Sequence, residues 1–113
     1  MAEPDRGEVW LVDLNPVRGH EPAGVRPGLV ISVDPFNHGP AGLVVLLPLT
    51  MVAKGIPLHV EVNPPEGGVR TTSFVKCDDI RSVAKERLSH RWGKVSTATL
   101  AAVEDRLRIL MGL

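Results

Sequence analysis

The chain has 113 residues, with 13 Lys plus Arg against 13 Asp plus Glu, a formal net charge of zero. That length allows one domain, 1–113, burying roughly two-thirds of its unfolded surface. Zero net charge argues against a polybasic nucleic-acid binder, and the single cysteine, Cys77, excludes an intrachain disulfide and a Cys-rich metal site.

The N-terminus, Met1 to Arg6, is charged and lacks an apolar h-region, so no signal peptide is expected. No apolar stretch approaches the ~20 residues of a membrane helix. A reducing, cytoplasmic location fits the cysteine count. Glycine and proline together number 21, which favours short strands and many turns over a helical bundle.

Glu8 to Asp13 alternates and predicts a first strand. Asn15 to Pro27 carries Pro16, Gly19, Pro22, Gly24 and Pro27 and reads as a long loop. Gly28 to Val33 predicts a second strand, followed by a turn through Asp34 to Pro40. Leu43 to Leu47 is apolar without alternation, which predicts a third strand buried on both faces, with Pro48 at its end and Thr50 at its mouth. Leu58 to Val62 alternates as a fourth strand, and Asn63 to Gly68 is a strong turn. Ser73 to Lys76 is a fifth strand, Asp78 to Ala84 a turn or single helical turn, and Leu88 to Val95 a sixth strand. Leu100, Val103, Leu107 and Leu110 recur at helical spacing, predicting a helix over 98–111 capped by Ser96 or Thr97 and stopped at Gly112. The expected fold is α+β and mostly β: a small antiparallel sheet or partly open barrel closed by a C-terminal helix. Its strand edges need cover, which a second copy of the chain would supply.

The zero net charge is an average over unlike regions. Residues 1–60 hold four basic and six acidic side chains; residues 70–94 hold seven basic (Arg70, Lys76, Arg81, Lys85, Arg87, Arg91, Lys94) and three acidic. The histidines His20, His38, His59 and His90 show no ligand spacing, so no metal site is expected. Cys77 reads as a buried inert thiol. Trp10 and Trp92 read as core residues, and with no tyrosine and two phenylalanines an aromatic stacking platform is not expected. Polar function concentrates in the loop Gly19 to Pro27, which gathers His20, Glu21 and Arg26. Pro27 restricts Arg26 to extended backbone at the start of a buried strand. A guanidinium so placed suits bidentate phosphate binding.

Several segments are similar to one known family. Arg6-Gly7-Glu8-Val9-Trp10-Leu11-Val12 with Asp13-Leu14-Asn15-Pro16, then Gly19-His20-Glu21 and Gly24-Val25-Arg26-Pro27-Gly28-Leu29-Val30-Ile31, resemble the MazF/PemK/Kid toxins of bacterial toxin–antitoxin systems. Leu47-Pro48-Leu49-Thr50 resembles that family's third-strand ending. Arg70-Thr71-Thr72, Val75-Lys76-Cys77-Asp78 and Arg81-Ser82-Val83 resemble the PemK/Kid branch. The resemblance covers about residues 6 to 112. It implies an SH3-like barrel of the CcdB/MazF type, a homodimer, and a cofactor-free, metal-independent endoribonuclease that cuts single-stranded RNA to a 2′,3′-cyclic phosphate and a 5′-hydroxyl. It also implies a cognate antitoxin with an acidic C-terminal tail.

By the same resemblance Arg26 and Thr50 are the catalytic pair, while His20, Lys76 and Asp78 fall on positions that the PemK/Kid branch uses. Lys76 stands where that branch carries arginine, keeping the charge and losing the planar fork. Pro22 follows Glu21 where a polar residue is usual. Chemistry of this type needs a base for the 2′-hydroxyl, positive charge on the phosphorane and an acid for the leaving oxygen. Arg26 suits the second role; His20, Glu21 and Asp78 are open candidates for the base. Arg18, Lys76, Arg81 and Arg87 are the RNA-binding candidates. The alternative is a CcdB-like gyrase-binding toxin without nuclease activity. The chain lacks that branch's C-terminal Trp-Gly-Ile, ending Leu110-Met111-Gly112-Leu113.

Overall fold

A computed structural model describes residues 3–15 and 24–113. The elements run in the order β1 (Glu8–Asp13), β2 (Val25–Val30), α1 (Asp34–Asn37), β3 (Leu43–Thr50), β4 (His59–Val62), β5 (Ser73–Lys76), β6 (Arg81–Ala84), β7 (Leu88–Lys94) and α2 (Thr97–Met111). The strands form one antiparallel sheet in the order β4-β5-β3-β2-β1-β7, with β6 also paired to β3. This is the mostly-β sheet with a C-terminal helix that the sequence predicts.

β3 is the organising strand. Its N-terminal half pairs with β6, Leu43↔Ala84 through Leu46↔Arg81. Its C-terminal end pairs with β5, Leu49↔Val75 and Thr50↔Phe74. Its opposite edge pairs with β2, Val30↔Leu46 through Gly28↔Pro48. Such a strand has no free edge, and its buried residues divide between two cores. Leu47 and Leu49 pack with Val9, Leu29, Val62 and Val75, while Val44 and Leu46 pack with Trp10, Val12, Val30 and Val83. Alternation along each strand sends neighbouring side chains to opposite faces, so one sheet builds both.

Several expectations change: β2 ends at Val30 rather than Val33, and the turn after it holds the short helix α1. The segment 78–84 contains strand β6 rather than a turn or helical turn. Only Val83 is buried there, so four residues offer too little pattern, and it is the open edge of β3 that recruits them. β2 starts at Val25, ahead of Pro27, because Val25 and Arg26 already pair with Asp13 and Val12 of β1. β3 runs past Pro48 to Thr50.

The helix α2 is close to prediction. Ser96 Oγ accepts the Thr99 amide at 3.1 Å, and Gly112 takes a left-handed conformation at φ 71. Leu100, Val103 and Leu107 pack on the first core, but Leu110 is exposed because the helix outruns it. No helix among the described residues is long and apolar enough to cross a membrane.

Candidate active site

Arg26 lies two residues before Gly28 on β2, and Thr50 two residues after Pro48 on β3. Gly28 and Pro48 are direct partners, so the antiparallel register carries Arg26 and Thr50 to the same end of the strand pair. The sheet thus joins residues 24 apart in sequence. Arg26 itself is held in the ladder opposite Val12 of β1. Its backbone is therefore part of a paired strand, and its exposed side chain starts from a fixed point. Thr50 Oγ1 accepts the Val52 amide at 3.2 Å, which leaves its hydroxyl proton available to donate.

Two clefts meet at this pair. On one side Arg26 and Thr50 share a hollow with Arg70, Thr71, Ser73 and Trp92. On the other they share one with Pro48, Lys54 and Lys76. Among the described residues, no carboxylate lines either cleft. Four cations around one spot, with no lining anion, make a local positive potential that the zero net charge conceals.

The other site candidates divide. Lys76 lines the second cleft, with Nζ 3.6 Å from Asp79 Oδ2. Asp78 lies just past the end of β5 and outside both linings; its Oδ1 pairs with His59 Nε2 at 3.1 Å. Arg81 sits opposite Leu46 with Nη1 buried, and lines neither cleft. Arg87 Nη1 donates to the carbonyl of Asp13 at 3.2 Å and to that of Asn15. That arginine therefore holds the end of β1 in place. Arg18, His20 and Glu21 lie outside the described residues. The two ends of their segment are tied together: the Leu14 amide donates to Gly24 O at 3.0 Å and the Gly24 amide to Asn15 Oδ1 at 3.1 Å.

The basic stretch 70–94 is also unlike a single binding face. Lys85 Nζ pairs with Glu3 at 2.8 Å and Arg91 Nε with Glu8 at 2.5 Å, so both serve internal contacts. Arg70, in contrast, makes no hydrogen bond or ion pair with any described residue and lines the first cleft. Its place among seven basic residues gave no reason to single it out. Lys54 and Trp92 were also missed as cleft residues. Trp10 is buried as expected, but Trp92 is 38% exposed and is not a core residue. Its signal lay in the register of β7, which only the fold reveals.

Cys77 is fully buried, and burial pushes its thiol up to about 11, so it is no nucleophile. Among the described residues, carboxylate and imidazole donors converge at Asp5, Asp34 and His38. These already bond internally: His38 Nε2 to Asp5 Oδ1 at 2.7 Å, and the Arg6 amide to Asp34 Oδ1 at 2.7 Å.

Residues 5–111 match the family described as PemK-like, MazF-like toxin of type II toxin–antitoxin system. The chain is 35% identical to Endoribonuclease MazF9 of Mycobacterium tuberculosis over 113 residues, covering 96% of each chain. It is 32% identical to Endoribonuclease EndoA of Bacillus subtilis, covering 96% of this chain and 94% of that one. Among solved structures, MazF from Deinococcus radiodurans superposes with a TM-score of 0.88 at 30% identity over the full length of both chains. A mycobacterial endoribonuclease in complex with its cognate antitoxin matches with a TM-score of 0.82 at 29% identity, over 97% of this chain and 96% of that chain.

Proposed function

The chain belongs to the PemK-like, MazF-like toxins of type II toxin–antitoxin systems, and from that premise we propose that it is a sequence-specific endoribonuclease of single-stranded RNA. The observation that carries this reading is the convergence of Arg26 and Thr50 between two cation-lined clefts. The gyrase-binding alternative falls away, since the family matched is the PemK/MazF one.

In this reading the 2′-oxygen of the RNA attacks the adjacent phosphorus, and the bond from phosphorus to the 5′-oxygen breaks. The 2′-hydroxyl proton goes to a protein base and a proton is returned to the leaving oxygen. The products are a 2′,3′-cyclic phosphate and a 5′-hydroxyl. The nucleophile belongs to the substrate, so the chemistry needs no metal-bound water. DNA lacks that nucleophile, and a duplex holds it out of line with the leaving group. Arg26 neutralises the charge that develops on the phosphorane, and Thr50 donates to one of its oxygens. Lys54, Lys76 and Arg70 draw the flanking phosphates into the clefts. His20, Glu21 and Asp78 remain the candidate bases; Asp78 is the one whose place the structure describes.

The same cationic clefts suit an acidic antitoxin tail, which would compete with RNA for Arg26, Lys54 and Lys76. A homodimer is supported by the apolar side chains exposed towards the end of α2, Ile109, Met111 and Leu113. A cytoplasmic location fits the free Cys77.

The test is cleavage of a long single-stranded RNA in excess EDTA by the purified protein and its Arg26→Ala variant. Discrete fragments with cyclic-phosphate ends, reduced about 10²–10³-fold in rate by the substitution, are expected. A strict metal requirement, or undiminished cutting by the variant, overturns the proposal.

A further inference from the structure

The pairing of β1 with β7 skips a residue. Val9 faces Gly93 and Trp10 faces Arg91, so Trp92 is the extra residue of a β-bulge. A bulge kinks its strand and re-aims the side chain it carries. The two tryptophans accordingly differ. Trp10 is buried, with its indole N–H donated to Glu8 Oε1 at 3.0 Å. Trp92 is 38% exposed, and its indole N–H has no partner among the described residues.

The backbone beneath Trp92 is clamped. The turn at Gly67 and Gly68 presses so closely on β7 that a Cβ on Gly68 would lie 2.2 Å from the Trp92 carbonyl oxygen. A Cβ on Gly93 would lie 2.7 Å from the Gly68 amide nitrogen. Only glycine fits on either side of this contact, and Gly68 also needs its positive φ of 75. The partly exposed indole therefore starts from a rigid base.

Arg70 stands beside it. Trp92 and Arg70 together line the cleft of Arg26 and Thr50, and both also line the adjoining hollow formed with Gly68, His90 and Arg91, whose guanidinium is paired to Glu8. A partly exposed indole next to a guanidinium with no hydrogen bond or ion pair among the described residues matches a flat ring attached to an anion. An unpaired nucleotide is such a ligand: the base stacks on the indole, and the phosphate meets the arginine. An acidic peptide satisfies Arg70 but gives the indole no ring to stack on.

We propose that Trp92 and Arg70 form a stacking subsite for one unpaired base of the RNA, next to the phosphate held at Arg26 and Thr50. The subsite rests on the endoribonuclease reading of the neighbouring cleft. Stacking accepts any base, so it supplies affinity and fixes the position of the strand, and leaves sequence choice to other contacts.

The experiment uses a short single-stranded RNA whose cut site has been mapped with the wild-type protein, or, if none is cut, a single-stranded RNA of mixed sequence. A 2′-deoxy substitution at the cut nucleotide makes a non-cleavable ligand, and abasic substitutions are then scanned along it. Binding is read by tryptophan fluorescence and by an independent anisotropy label, for wild type, Trp92→Ala and Trp92→Phe. RNA is expected to quench the wild-type emission. Trp92→Ala should lose the quenching and weaken binding about 5- to 100-fold, and Trp92→Phe should recover most of the affinity. One abasic position should weaken wild-type binding by a similar factor and add nothing in Trp92→Ala. The subsite is refuted if Trp92→Ala binds as tightly as wild type, or if every abasic penalty persists unchanged in it. It is equally refuted if Trp92→Ala alters the sedimenting mass, which would show a second copy of the chain covering the ring, or if an acidic peptide quenches Trp92 where RNA does not. Quenched binding without cleavage of the all-ribose RNA would sink the endoribonuclease reading and leave the subsite standing. Cleavage with a flat abasic scan would do the reverse.

Discussion

The imidazole of His59 is almost wholly buried, with 3% of its side-chain surface exposed, and it meets the half-exposed carboxylate of Asp78 through Nε2 at 3.1 Å. His59 lies on β4 directly opposite Lys76 of β5, so the sheet places the histidine under the turn that carries Asp78. A carboxylate anchored in this way keeps one orientation, just beyond the strand whose Lys76 lines the second cleft.

That anchoring predicts energetic coupling. His59→Phe keeps the volume and removes the hydrogen bond, and Asp78→Asn removes the charge. Each should slow RNA cleavage, and the double variant should be no slower than Asp78→Asn. A double-mutant cycle on the rate should give a coupling of about 0.5–3 kcal/mol. Additive losses would show that His59 does not act through Asp78.

Thr50 is argued to act through its hydroxyl. Thr50→Val should lower kcat by about 10²-fold and leave the unfolding transition within about 1 kcal/mol of wild type. Thr50→Ser should restore most of the rate. Steady-state cleavage of a fluorogenic RNA, together with urea unfolding of each variant, makes the comparison. Equal rates for Val and Ser would remove Thr50 from the chemistry.

Glu8 contributes stability that acid removes. Burial is the largest single influence on its carboxyl and opposes ionisation. Hydrogen bonds from Arg91, the Asp5 amide and Trp10 outweigh that burial and together hold it below the usual glutamate range. A carboxyl with a depressed folded value stabilises fully above its unfolded value, and that stability fades as pH falls through the folded one. Glu8→Gln should therefore cost about 1–3 kcal/mol at pH 7. The gap between variant and wild type should narrow on acidification to about pH 3, as measured by urea unfolding at each pH.

Cys77 behaves in the opposite sense. Burial raises its thiol to about 11, so the folded protein holds the proton that the unfolded chain releases earlier. The resulting stability is complete below the unfolded thiol value and declines as pH rises towards 11. Native protein at pH 8 should resist alkylation that goes quickly in urea. Cys77→Ser, which buries a hydroxyl, should unfold at lower urea than Cys77→Ala.

Much of this was legible along the chain. The apolar run of Leu43 to Leu47 signalled a strand; Val44, Leu46 and Leu47 are buried, while Leu43 at its start is exposed. The stripe Leu100, Val103, Leu107, with Ser96 before it and Gly112 after it, gave α2 nearly to the residue. Pro27 marked Arg26 as stiff. β6 was not legible, because four residues with one buried valine have no period to read. Trp92 was misread for a different reason: a bulge moves a residue off its strand's alternation, and no local pattern announces it.

The sequence by itself determined the strand-rich class, the C-terminal helix, the family and the identity of Arg26 and Thr50 as a pair to watch. These depend on residue type, on local period and on short motifs, all of which are carried by neighbours in the chain. The tertiary structure alone decided which of the basic residues share a cleft. Lys85 and Arg87 turn to internal partners, and Arg91 pairs with Glu8 while lining the hollow beside Trp92; Arg70, from the same stretch, shares a cleft with Trp92 and Arg26. Strand register makes that choice, since a shift of one residue moves a side chain to the opposite face. Register is set by pairings between strands far apart in sequence.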